Sequence, residues 1–279
     1  MADTRDAHVL TLTCEDRVGI VAGVTGALAA IGGFILDSQQ YADLETGRFF
    51  MRLAFTGGGD PRAALAPVAD RFGFDWSLTR AEDRPRVLIA VSKGSHCLND
   101  LLHRRQTGAL PVEVAGVVSN HQTLRPLVEW HGLPFHHLPV NEDTRGSQEA
   151  ALDALMADAD YLVLARYMQV LSPALVERLA GRCINIHHSF LPGFKGARPY
   201  HRAHERGVKL IGATAHFVTS DLDEGPIIEQ AVERVDHRAS VEDMIRIGRD
   251  IEAQVLARAV AWIGERRVLL NGNRTVVFR

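Results

Sequence analysis

Apolar and polar positions change rhythm repeatedly along the chain, and each change marks an element. From His8 to Thr13 they alternate with period two, as on a strand with one buried face. From Val18 to Ile31 the apolar positions take helical spacing, and Gly32-Gly33 ends the run. Two strand-like segments follow, Phe34 to Tyr41 and Arg48 to Phe55, joined by a turn containing Glu45-Thr-Gly47. Asp60-Pro61 opens a second helix that stops near Gly73, and Phe74 to Thr79 supplies one more strand. The order βαββαβ predicts a ferredoxin-like unit.

Beyond the charged, proline-bearing link Ala81 to Pro85 the pattern is different. Val87 to Val91 is apolar without interruption, as on a strand buried on both faces. Strands over Val112 to Ser119, Phe135 to Val140 and Tyr161 to Ala165 then alternate with helices over Cys97 to Arg105, Thr123 to His131, Ser147 to Ala157 and Ala174 to Gly181. This alternation predicts a doubly wound, mostly parallel α/β sheet of Rossmann-like type. Ser240-Val-Glu-Asp243 has the form of a capping box, opening a long helix with Ile247, Ile251 and Val255 on one face. Asn271-Gly272 between apolar segments predicts a closing hairpin. With 279 residues, two domains are expected, 1–83 and 84–279.

Composition narrows the choices. The chain is 46% hydrophobic and 23% charged with a formal net charge of -3, which gives no general basic surface for nucleic acid. Three well-separated cysteines, Cys14, Cys97 and Cys183, fit a reducing, cytoplasmic setting without a disulfide framework. No apolar run approaches the ~18 residues of a membrane span, so no membrane partner is expected.

Candidate chemistry concentrates between Cys183 and Pro226. Asn185 and His187 stand two apart at the end of a short apolar run, so on a strand they share a face. Lys209 to Val218 reads as another strand, and the turn after it carries Asp221, Asp223 and Glu224 before Gly225-Pro226. An amide, an imidazole and a carboxylate suit carbonyl chemistry: two donors for an oxyanion and an acid to orient the ring. Taken singly, each also reads as a strand-end cap, a core histidine or a solvated turn. The remaining histidines, His188, His201, His204 and His216, lack metal-motif spacing, and no metal or resident cofactor is expected.

At these residues the chain resembles the folate-dependent formyltransferase superfamily. The resemblance rests on Asn185-Ile-His187, Ser189-Phe-Leu-Pro192, Gly196-Ala-Arg-Pro199 and Leu222-Asp223-Glu-Gly-Pro226. It implies Asn185, His187 and Asp223 as catalytic, and a pterin pocket lined by Met168, Gln169, Val170 and Leu171, with Val218 and Thr219 also contacting substrate. Met168 and Leu171 read equally well as core. Ser92-Lys-Gly-Ser-His-Cys97 departs from the glycine-rich turn that holds an acceptor phosphate in the glycinamide ribonucleotide branch, although Lys93 and the following helix suit an anion. A plain βα turn is the other reading.

The first unit, with Glu15-Asp16-Arg-Val-Gly19-Ile20 at its first turn, resembles an ACT domain. That resemblance implies a small effector, often an amino acid, with Asp16, Gly19 and Ile20 as contacts. A purely structural module is the alternative, and in either case a homo-oligomer is expected from the uncovered sheet edge. Together the two resemblances imply hydrolysis of 10-formyltetrahydrofolate, as substrate with water, to tetrahydrofolate and formate. Such a reaction balances one-carbon units and supplies formate for purine synthesis. Transfer to glycinamide ribonucleotide or another amine, and a non-catalytic folate or amino-acid sensor, stay open at this point.

Overall fold

The structure, a computed structural model, describes residues 7–141, 143–193 and 199–279. Contacts divide it into two compact units. The first takes the described residues up to Arg84 together with Glu265–Asn271 and Thr275–Arg279; the second takes Pro85–Gly264 and Gly272–Arg274. No helix among the described residues is long and apolar enough to cross a membrane.

The first unit follows the expected order: β1 (His8–Glu15), α1 (Ile20–Ala30), β2 (Phe34–Asp43), β3 (Arg48–Thr56), α2 (Pro61–Phe72) and β4 (Asp75–Arg80). Its sheet is antiparallel throughout, in the order β2-β3-β1-β4. Asp60 caps α2 through the amides of Arg62 and Ala63, and Gly73 ends that helix at φ 66.

Strand alternation explains why the C-terminal segment belongs here and not with 84–264, as continuity of sequence suggests. Phe49, Met51, Leu53 and Phe55 of β3 turn toward the helices and pack with Val24, Leu28 and Leu65. Phe50 and Arg52 must therefore face the other side. A hairpin of β12 (Val268–Asn271) and β13 (Arg274–Val277) covers them. Phe50 packs with Leu269, Phe278 and Val276, and Arg52 donates to the Glu265 carbonyl at 3.0 Å and to Asp37 at 2.8 Å. The hairpin turn is Gly272-Asn273, one residue later than Asn271-Gly272, which frees the Asn271 amide to reach Asp43 at 2.6 Å. Phe278→Ala is expected to cost the first unit about 3–5 kcal/mol. Hydrogen exchange reads this as a rise of at least about 100-fold in the rates of the β3 amides.

The second unit runs β5 (Arg86–Val91), α3 (His96–Gln106), β6 (Glu113–Ser119), α4 (Arg125–Trp130), β7 (Phe135–His137), α5 (Arg145–Leu155), β8 (Tyr161–Leu164), α6 (Pro173–Arg178), β9 (Cys183–His187), α7 (Pro199–Glu205), β10 (Leu210–Phe217), β11 (Ile227–Arg234) and α8 (Val241–Gly264). The seven strands lie in the order β11-β10-β9-β8-β5-β6-β7. From β9 to β7 every pairing is parallel, while β10 pairs antiparallel with both β9 and β11. Strand β11 is absent from the sequence reading. The capping box is formed as expected: the Ser240 hydroxyl accepts from the Asp243 amide, and the Asp243 carboxylate accepts from the Ser240 amide. Chain order departs from β5 in both directions, to β6 on one side and β8 on the other. Ligands of open α/β sheets bind outside the carboxyl ends of strands at such a reversal.

Candidate active site

Asn185 and His187 end β9 two residues apart, and both line a cavity of about 450 Å³ beyond the carboxyl ends of β8 and β9. Strand β10 sets His216 opposite Asn185 and Thr214 opposite His187. Directly opposed residues of an antiparallel pair share a face, so His216 joins the cavity wall. Behind His187 the chain is fixed by Thr214, whose hydroxyl donates to the Ser189 carbonyl and accepts from the Leu191 amide and Gln230.

His216 settles the orientation of Asn185. Its Nδ1 lies 2.8 Å from the Phe217 carbonyl oxygen, a contact that needs a proton on Nδ1. In the neutral ring Nε2 is then bare, and it accepts the Asn185 amide N–H at 3.3 Å. Burial pushes the His216 pKa down; the Phe217 bond and the Asp223 charge oppose this without reversing it. The second Asn185 N–H has no partner among the described residues.

Asp223 arrives from the turn after β10. Phe217 N donates to the Pro226 carbonyl and Val218 N to the Cys183 carbonyl, closing the base of that turn. Asp223 itself sits at φ 59, a left-handed conformation that aspartate tolerates better than most residues. Its carboxylate reaches His187 Nδ1 at 3.2 Å and lies 3.9 Å from His216 Nε2. Burial alone would raise the Asp223 pKa, but the His187 hydrogen bond and the histidine charges together win and hold it below the usual carboxylate value. A depressed carboxylate pKa means that this pairing stabilises the fold fully above the unfolded value and loses that contribution only as pH falls through the lower, folded value.

With Nδ1 committed to Asp223, the other ring nitrogen decides what the site does. His187 is 6% exposed, and its Nε2 is buried in the wall of the cavity with no hydrogen-bond partner among the described residues. An unpaired buried polar atom costs about 1–3 kcal/mol, so such an atom aimed into a cavity is suited to a ligand. Asn185 offers a donor to this cavity, and His187 offers a second once its ring is protonated, with a carboxylate behind the ring.

The other expected contacts also meet here. Met168, Gln169, Val170, Leu171, Val218 and Thr219 all line the cavity. Met168 and Val170 are exposed at its mouth, whereas Leu171 packs into the core with Tyr167 and Leu175. Ser92 fixes this loop, accepting the Met168 amide at 2.9 Å. Gly196, Ala197 and Arg198 lie outside the described residues. His188 and Leu222, the latter part of the Leu222–Pro226 motif, also line the cavity, as does Arg166, which nothing local in the sequence marks. In the first unit, Gly19 begins α1 at φ 100 beside an exposed Asp16, while the Ile20 side chain is core, so only its backbone faces the turn.

Fold and site define the class: the chain belongs to the formyl transferase family, which residues 85–260 match. The relatives carry the comparison further. A formyltetrahydrofolate deformylase of Corynebacterium sp. (strain P-1) is 52% identical over 98% of this chain and 98% of its own. Crystal structures titled as formyltetrahydrofolate deformylases agree with the fold throughout. The one from Pseudomonas syringae pv. tomato has a TM-score of 0.95 at 48% identity, covering 98% of this chain and 94% of its own. The one from Burkholderia mallei has a TM-score of 0.94 at 52% identity, covering 98% and 100%.

Proposed function

We infer that the protein hydrolyses 10-formyltetrahydrofolate to tetrahydrofolate and formate. One observation carries this reading: the similarity to deformylases runs through both units and not only through the formyl transferase segment. The site geometry supplies a mechanism. Water attacks the formyl carbon, and the carbonyl oxygen of the tetrahedral intermediate is received by the second Asn185 N–H and by Nε2–H of protonated His187. Each such donor contributes roughly 3 kcal/mol in the transition state. Asp223 holds Nδ1–H, balances the imidazolium charge and takes up the proton lost by water. The C–N bond then breaks as the proton held by Asp223 is passed on, through water or His187, to the folate nitrogen, and the water oxygen leaves within formate, its remaining proton going to solvent. His216 keeps the Asn185 amide turned toward the oxyanion. The folate is bound as substrate by the Met168–Leu171 loop with Val218 and Thr219, and no resident cofactor takes part.

The first unit is assigned as an ACT-like regulatory module with an amino-acid effector at the Asp16–Gly19 turn. Edge strand β2, with Phe34, Leu36 and Tyr41 exposed, supports a homo-oligomer. The setting is cytoplasmic, where the released formate would support purine synthesis. Incubation with 10-formyltetrahydrofolate and no acceptor is expected to release formate continuously. Turnover only on adding an amine, or binding without turnover, would refute hydrolysis.

A further inference from the structure

A second cavity, of about 620 Å³, opens beside the first and shares Arg166, Met168 and His188 with it. It lies at the reversal in sheet order, between the turn after β5 and helix α8. Its charged lining is mostly cationic: Lys93, Arg166 and Arg249 are cations, His96, His121, His188 and His201 add imidazoles, and Glu252 is the one carboxylate among the described lining residues.

That carboxylate is already taken. Oε2 of Glu252 meets His96 Nε2 at 2.9 Å and Arg166 Nε at 3.3 Å, while Oε1 accepts the Tyr200 hydroxyl at 2.7 Å. Burial would raise its pKa, but the His96 bond and the Arg166 charge hold it below the usual value. Glu252, 1% exposed, has both oxygens engaged and holds Arg166, whose backbone stands at φ 65, where the two cavities meet. Lys93 and Arg249 are exposed and have no ion-pair or hydrogen-bond partner among the described residues. Two unneutralised cations therefore face the opening next to the site where hydrolysis creates a carboxylate.

We propose that this cavity is the exit site of the formate product, which passes from Asn185 and His187 along Arg166 to Lys93 and Arg249. The proposal rests on the hydrolytic reading. Formate is a small anion, and the cationic lining of the second cavity suits it, whereas the folate-binding loop Met168–Leu171 lies on the first. The second cavity is far larger than formate, which fits a hydrated anion in transit more than a tight complex.

The test is a titration of the full chain with ¹³C-formate followed by NMR line broadening, with inorganic phosphate titrated in parallel. Saturable formate binding in the millimolar range is expected, and the double variant Lys93→Gln, Arg249→Gln should bind about tenfold more weakly. Both side chains are exposed, so the melting temperature should stay put and serve as the fold control. Inhibition of turnover by added formate should shift by the same factor. Unchanged formate binding in the double variant would overturn the proposal, as would binding of phosphate but not formate. The titration needs no turnover: formate release with unaltered binding in the variant defeats the exit site alone, whereas absence of formate release defeats the hydrolytic reading.

Discussion

Replacing His187 by alanine is expected to slow formate release from 10-formyltetrahydrofolate by about 10³-fold or more, with folate affinity held within a few fold. The size follows from the two tasks that meet on one ring. Nε2 faces the cavity without a partner among the described residues and donates when the ring is protonated, and a single oxyanion donor accounts for about 10²–10³ in kcat. Nδ1 is bound to Asp223, and that couple handles the proton, a role worth about 10²–10⁴. The two contributions act as a unit and do not multiply. The pterin-facing residues lie on other loops, so KM should move little. Asp223→Asn should lose nearly as much, because the amide keeps the shape of the turn but cannot carry the balancing charge. Stopped assays with purified variants decide the matter; a His187→Ala enzyme within tenfold of the parent would show that another group does the chemistry.

Gly225→Ala should be almost as damaging although the residue touches no substrate. A Cβ there would stand 1.8 Å from the Phe217 carbonyl oxygen and 2.9 Å from its carbon. Neither atom yields easily. Phe217 is paired through its amide to Pro226, and its carbonyl accepts the His216 ring. Relief of the clash moves the turn that carries Asp223, the carbonyl that fixes the His216 tautomer, or both. Turnover is expected to fall by about 10²-fold, since a shift near 1 Å in catalytic groups costs about that much. Gly225→Ala with wild-type kcat and an unaltered His216 NMR signature would show that the turn has slack the structure does not suggest.

The parts legible in sequence are those written in short-range code. The period-two spacing of Asn185 and His187, the proline and glycines of the turns, and the Ser240–Asp243 box are each decided within a few residues. The same holds for both layer types, since βαββαβ and the strict βα alternation are local rhythms. Strand β11 escaped because Ile227–Arg234 mixes exposed charges with a half-buried edge and lacks clean alternation. The Arg166–Glu252 pair escaped for another reason: its partners are far apart in sequence, and α8 reads as a packing helix. One signal was present, a glutamate inside the apolar stripe between Gly248 and Leu256, which predicts a buried partner without naming it. The bond between His216 and Asn185 is not legible in sequence, because it depends on β10 running antiparallel to β9.

The return of the C-terminal hairpin to Phe50 bears on how the chain is made. In connectivity the second unit is an insertion within the first, so a ribosome delivers the sheet face of β3 long before the segment that shields it. Until the chain has grown by the 213 positions that separate Arg52 from Glu265, Phe50 and Arg52 stay open to water and to other nascent chains. Folding of the first sheet is therefore completed by a stretch translated after almost the whole second unit.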